Sequence, residues 1–238
     1  MLKNVKIQFM KNLFGKYGIS LSDEQEEKFD EFSSLLKEYN AKFNLTSITD
    51  DRGIIVKHFL DSCLYVDKFS TGAEVIEIGS GGGFPSLPNK ILREDLSFTC
   101  VEATEKKCEF LSTVADKLGL KKIKIINGRA EELGRDKNYR EKFDYAVARA
   151  VARLNVLSEY CMPFVKTNGK FVAFKGQAKE EIKEAEKAIE ILGGRINDVY
   201  EFSLPEDSGI RDIIEVEKVS PTPPEYPRLN GKIKKKPL

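Results

Sequence analysis

Along this chain the period of the apolar positions changes once, from helical to strand-like. Over residues 22–40, Phe29, Phe32, Leu36 and Tyr39 recur at helical spacing behind Ser22, Asp23, Glu24 and Gln25, a capping box that predicts a long amphipathic helix to about Asn40. A further helical pattern runs from Ile54 through Ile55, Phe59, Cys63 and Val66. The first ~70 residues read as mainly helical, with no convincing strand.

From Ala73 short runs rich in Val, Ile and Phe alternate with longer amphipathic segments. AEVIEIG (73–79), LSFTCVE (96–102), KIKIING (122–128), FDYAVAR (143–149) and GKFVAFK (169–175) are five candidate strands, spaced widely enough for crossover helices and hence for a parallel sheet. Phe110, Leu111, Val114, Ala115 and Leu118 form one helical stripe; Ile182, Ala185, Ile189 and Leu192 form another, which Gly193 and Gly194 should end. VYEFSL (199–204) and DIIEVEKV (212–219) are joined only by PEDSGIR, too short for a parallel crossover, so an antiparallel hairpin is expected at one edge. The pattern predicts an α/β fold, a doubly wound sheet of the class I methyltransferase variety; a dehydrogenase sheet would continue with another parallel strand. Three parts follow: a helical extension or cap (1–70), a cofactor-binding methyltransferase domain (71–220) and a Pro/Lys-rich tail over the surface (221–238).

Formal net charge is only +1, so affinity for a polyanion must come from local clusters. Lys3, Lys6, Lys11 and Lys16 stand together at one end, and Arg228, Lys232, Lys234, Lys235 and Lys236 at the other. Both clusters admit two readings, solubilising ends or phosphate contacts. The four cysteines (Cys63, Cys100, Cys108, Cys161) form no CxxC pair, and the chain has one histidine, so no metal site is expected. Lysines interrupt the apolar residues of the N-terminus, and no run reaches the ~20 apolar residues of a membrane span. A cytoplasmic protein, monomeric and without membrane contact, is expected.

The strongest chemical signal is EIGSGGGFPSLP, from Glu77 to Pro88, between the first strand and a helix, where doubly wound folds bind ligands. Gly79 and Gly81 let a backbone approach a ligand closely. A dinucleotide fingerprint would need a third glycine where Phe84 stands, and Glu77 would repel a diphosphate. S-adenosylmethionine carries no phosphate, and its sulfonium and ammonium suit an acidic neighbour. Glu102, ending the second strand and followed by Ala103, is placed to accept hydrogen bonds from both ribose hydroxyls. NGRAEEL brings the backbone of Ala130 and Glu131 toward the adenine. Arg149, ending the fourth strand, lies either near the transferred methyl or as a structural partner of Glu77 or Glu131.

FDYAVARAVA has neither the polar-Pro-Pro-aromatic motif usual for exocyclic amines nor the cysteine needed to attack a pyrimidine carbon. The remaining acceptor class is already nucleophilic at neutral pH, as guanine N7 is, and requires no catalytic base.

With these blocks in place, the chain resembles the glucose-inhibited division protein B family, also called ribosomal RNA small subunit methyltransferase G. The resemblance rests on YNAKFNLTSIT (39–49), KHFLDS (57–62), EIGSGGGFPSLP (77–88), EATEKKCEFL (102–111), NGRAEEL (127–133), ARAVARL (148–154) and VAFKG (172–176). It implies methylation of N7 of a guanosine in the 530 loop of 16S ribosomal RNA, with S-adenosylmethionine as donor and the small ribosomal subunit as target. It also implies cofactor contacts by Gly79, Phe84, Ala130, Glu131 and Arg149. Glu102 replaces a frequent aspartate, and Lys107 a frequent arginine, which loses a planar fork. His58, Asp61 and Ser62, three and four residues apart, either tie the helices over the crevice or touch the target nucleotide. Among Lys106, Arg129, Lys175 and Arg211, some are expected to bind RNA phosphates and others to close the site. Competing readings are a small-molecule or protein methyltransferase, a non-catalytic RNA-binding assembly factor and a nicotinamide oxidoreductase.

Overall fold

The computed structural model describes residues 3–205, 208–229 and 231–238. Residues 206 and 207, in the expected hairpin connection, lie outside them. Helices α1 (Lys3–Lys16) and α2 (Asp23–Asn40) come first; α2 opens with the expected box, in which the Gln25 N–H donates to Ser22 Oγ and the Ser22 N–H to Gln25 Oε1. The next helical segment starts at α3 (Asp51–Gly53), capped by Asp50, widens into π-helical turns over Ile54–Leu60 and ends as α4 (Asp61–Cys63). Then follow β1 (Glu74–Ile78), α5 (Ser86–Leu92), β2 (Ser97–Glu102), α6 (Glu105–Lys117), β3 (Ile123–Asn127), α7 (Ala130–Leu133), β4 (Phe143–Arg149) and α8 (Leu154–Cys161). The chain closes with β5 (Val165–Lys175), α9 (Lys179–Ile191), β6 (Gly194–Ser203), β7 (Ile210–Lys218) and α10 (Lys232–Lys235).

The seven strands form one sheet in the order β3-β2-β1-β4-β5-β7-β6. Strands β1 to β5 pair in parallel, and β7 is antiparallel to both β5 and β6, so the edge hairpin is as expected. Two starts differ from expectation. Strand β5 begins at Val165, ahead of Gly169, because its first half is polar and carries a register shift against β4. Gly194 opens β6 and does not end the helix before it.

Both faces of the sheet are covered, and alternate residues divide between two cores. Val75, Phe98, Tyr145, Val147 and Val172 pack under α1, α2, the π-helical segment, α5 and α6. Ile76, Ile78, Ala146, Ala148 and Ala173 pack under α8 and α9, with Ile233 of α10 joining them. Period-2 alternation thus sends apolar side chains both ways, as a sheet with two covered faces requires.

The chain order reverses between β1 and β4, which splays the connections leaving their carboxyl ends and opens a crevice there. The tail crosses the second face as a strap. Arg140 donates to the carbonyls of Thr222 and Tyr226, Arg135 to those of Glu225 and Pro227, and Arg228 pairs with buried Glu159.

Candidate active site

The glycine loop leaves β1 with Gly79 at φ +71° and Gly83 at φ +84°. A Cβ on Gly83 would sit 2.4 Å from Leu87 Cδ1 and 3.0 Å from Leu111 Cδ2, so a side chain there would push α5 and α6 apart. Gly79 N–H donates to the Val101 carbonyl at 2.9 Å. Glu102 fixes the loop from the other side: its Oε2 accepts the Gly81 N–H and its Oε1 the Thr104 N–H, each at 2.9 Å. The carboxylate is therefore held rigid at the crevice floor before any ligand arrives.

Glu77 departs from its expected place. It is fully buried and lines none of the three cavities along the strand ends; Ser86 donates to its Oε2, and its Oε1 has no partner among the described residues. Burial lifts its carboxyl to about 7, against hydrogen bonds from serines that favour ionisation. It supports the loop from beneath, within the packing of α5, because the period-2 alternation of β1 sets it on the same face as Val75, which α5 covers.

A second cluster joins the π-helical segment to the end of β4. Arg149 donates through Nη1 to Asp61 Oδ2 at 2.8 Å and to the Lys57 carbonyl at 2.9 Å, and through Nη2 to His58 Nδ1 at 3.0 Å. Arg211 Nε lies 3.2 Å from Asp61 Oδ1. His58 stacks on Phe84 with centroids 4.5 Å apart, and the Arg149 guanidinium carbon lies 5.0 Å from the same ring centre. Burial and the Arg149 charge hold His58 down to about 3, so the imidazole is neutral. The acid that pairs with Arg149 is Asp61, and not the Glu77 or Glu131 that the structural reading had offered. His58 and Asp61 meet at Arg149 as the shared-face reading requires, whereas Ser62 turns back to donate to the His58 carbonyl. Ala150, next to Arg149, sits at φ +56°, a strained conformation for a residue with a Cβ.

Three adjoining cavities run along the carboxyl ends of the strands. The first, about 170 Å³, is walled by Ile78, Gly79, Glu102, Ala103, Arg129, Ala130, Glu131 and Tyr160, with Lys234 of α10 at its rim. The second, about 480 Å³, shares Gly79 and Glu102 with it and adds Gly81, Phe84, Lys107, Arg149 and His58, with Leu45 to Ile48 as its outer wall. The third, also about 480 Å³, shares His58 and Arg149 with the second and extends past Asp61 and Phe174 to Lys175, Gln177 and Arg211. Lys175 is tied to Glu181 at 2.7 Å and to the Ala152 carbonyl at 2.8 Å.

Fourteen of the site residues singled out by sequence, Lys107 among them, thus line this trench of adjoining cavities, while Glu77, Ser62 and Lys106 lie outside its walls. Tyr160 and Gln177 line it although no pattern in the sequence had marked them, and Thr46 and Lys234 line it although the sequence had marked them only as part of YNAKFNLTSIT and of the basic tail. Among the described residues no cluster of His, Cys, Asp and Glu suits a metal ion, and no helix is long and apolar enough to cross a membrane.

The donors and acceptors of the trench suit a phosphate-free nucleoside. The first cavity offers a fixed carboxylate, the backbone of Ala130 and Glu131 and apolar walls, and its one arginine is exposed at the rim. Solved structures carry the same fold. TYW2 of M. jannaschii, in complex with AdoMet, aligns with a TM-score of 0.56 at 13% identity over 74% of this chain and 81% of its own. The YcgJ protein of Bacillus subtilis aligns at 0.53 and 13% identity over 68% of this chain and all of its own. Two relatives named ribosomal RNA small subunit methyltransferase G are far nearer in sequence. That of Acetivibrio thermocellus is 47% identical over 93% of this chain and 92% of its own length, and that of Brevibacillus brevis 48% identical over 93% and 94%. The sequence profile of the GidB family, rRNA small subunit methyltransferase G, matches residues 25–209, a span that holds the glycine loop, the Arg149 cluster and the edge hairpin, and this chain belongs to that family.

Proposed function

We propose that this protein methylates N7 of a guanosine in the 530 loop of 16S ribosomal RNA within the small ribosomal subunit, with S-adenosylmethionine as donor. The observation that carries the reading is the row of adjoining cavities: a small one floored by a rigid carboxylate, a middle one that shares Gly79 with it, and a third that shares Arg149 with the middle one and has Lys175 and Arg211 at its far wall. The first cavity takes the adenosine, with Glu102 accepting from the ribose and Ala130 and Glu131 meeting the adenine edge. The third takes the unstacked base, against Phe174.

Bound there, the cofactor supplies a methyl group on a sulfonium, and the N7 lone pair accepts it in line with no proton to lose. The protein's work is alignment. Asp61 is shared by Arg149 and Arg211, so it offsets one of the two cations beside the purine and lessens their repulsion of the positive charge the ring acquires. Phe84, held by His58 and Phe32, fixes the glycine loop at the junction of the cavities. The helical residues 1–70 act as a cap whose segment Leu45–Ile48 closes the trench, and 71–220 carry the cofactor.

Labelled S-adenosylmethionine, presented with small subunits, naked 16S RNA and the protein alone, tests this. Label is expected on one guanosine of the 530 loop, at a site whose glycosidic bond becomes labile to reduction and aniline, as N7 alkylation dictates. Label on an exocyclic amine or on protein, or none at all, sinks the proposal.

A further inference from the structure

The Arg149 cluster continues one residue further, and there its hydrogen-bond directions are forced. A guanidinium only donates, so His58 Nδ1, 3.0 Å from Arg149 Nη2, accepts. The imidazole proton is then on Nε2, which donates to Thr46 Oγ1 at 2.7 Å. The Ile48 N–H donates to the same oxygen at 3.0 Å. Both acceptor positions of the hydroxyl are filled from the protein, and among the described residues its own proton finds no acceptor. Thr46 lines the second cavity together with the glycine loop. Lys107, half-buried on the same wall, has no ion-pair partner among the described residues, and Glu102, the acid of that cavity, accepts one backbone N–H on each oxygen and keeps its remaining lone pairs for the ribose. The cavity therefore presents an oriented O–H donor and an unpaired ammonium, a pair suited to an oxyanion.

We infer that Thr46 and Lys107 bind the α-carboxylate of the cofactor's amino-acid end. This rests on the proposed occupancy of the trench by S-adenosylmethionine, whose only anionic group is that carboxylate. An RNA phosphate is the other source of an oxyanion, but the cavity lies between the loop that flanks the adenosine site and the Arg149 wall, on the cofactor's side of the junction. The inference gives Arg149 a second task. By donating to His58 it sets the tautomer, and the tautomer sets the direction of the Thr46 hydroxyl.

Calorimetric titration of the full-length protein with S-adenosylhomocysteine and with methylthioadenosine, which lacks the amino-acid end, tests the assignment. Thr46→Val is expected to weaken S-adenosylhomocysteine about tenfold or more, as loss of a hydrogen bond to a charged group does, and to leave methylthioadenosine within about twofold. Thr46→Ser should restore the affinity, and Lys107→Met should repeat the selective loss. Equal weakening of both ligands would make Thr46 a purely structural partner of His58 and overturn the inference. So would unchanged S-adenosylhomocysteine affinity, including the case where only the KM for small subunits rises, which would assign the pair to RNA phosphate. Failure of the unaltered protein to bind either ligand would instead remove the cofactor reading itself.

Discussion

Glu77 and His58 are both buried, one on each side of the glycine loop, and their proton affinities are displaced in opposite senses. Glu77, raised to about 7 from 4.5, holds a proton in the folded chain that the unfolded chain has lost, so its contribution is full below pH ~4.5 and is lost as pH rises through about 7. His58, lowered to about 3 from 6.5, is neutral when folded and protonated when unfolded, so its contribution is full above pH ~6.5 and is lost as pH falls toward 3. Between pH ~4.5 and ~6.5 the two slopes, each about 1.4 kcal/mol per pH unit, cancel. Glu77→Gln should therefore unmask stability that falls with acidification, and His58→Gln stability that rises. Urea unfolding of the three proteins at pH 4.5, 5.5 and 6.5 checks this; parallel profiles would refute the burial argument. At this scale the place of Gly79, Gly81 and Glu102 at the cavities was legible from a glycine loop and a strand-end acid, that of Phe84 only through the family resemblance, and Arg149 was legible as a strand-end cation with two readings. Thr46 was not, since a threonine in a loop becomes chemically special only when its hydroxyl is fixed by partners distant along the chain. Glu77 was misjudged because spacing from Gly79 says nothing about the side of the strand it occupies.

Among the elements, β4 and the capped α2 follow the pattern of apolar positions, while β5 and β6 begin earlier than that pattern. Their first residues lie at a bulge or an exposed edge, where hydrophobic periodicity has nothing to report. The π-helical segment was equally hidden: an apolar stripe marks a helix without giving its pitch. The tail differs most from its sequence, since a lysine-rich stretch holds Ile233 almost wholly inside the second core and sets Lys234 at the rim of the first cavity. Ile233→Ala should cost about 2–4 kcal/mol in urea unfolding, as a core aliphatic does, and should weaken S-adenosylhomocysteine binding as α10 loosens. A loss below about 0.5 kcal/mol would show that the strap contributes little to the folded state.

For the whole molecule, fold class was readable because parallel strands, crossover helices and one short connection leave few topologies. Charge distribution was not. Of the N-terminal lysines, Lys6 is buried against Asp30 and Asp51, Lys11 lies 2.9 Å from Glu26 and Lys3 lies 3.8 Å from Asp30. Neither reading of that cluster anticipated this use: these cations fasten α1 to α2 and to the segment after it. We propose that the basic groups that meet RNA include Lys57, Lys106 and Arg129, exposed at or beside the trench. The triple change Lys57→Ala, Lys106→Ala and Arg129→Ala should flatten the dependence of log affinity on log salt by roughly 2, near 0.7 for each phosphate released. Lys3→Ala with Lys11→Ala should leave that slope unchanged, and filter binding of 16S RNA over a salt series measures both; a larger change in the second protein would move the RNA to the α1 face.

Gly79 and Glu102 line two of the cavities, and His58 and Arg149 line two of them, so each compartment meets the next at shared residues. A single synthetic compound with an adenosine head and a purine tail could lie across all three, losing its rigid-body freedom once where two separate fragments lose it twice. Its selectivity over other enzymes of this fold would come from the Arg149 junction, which the tether must thread.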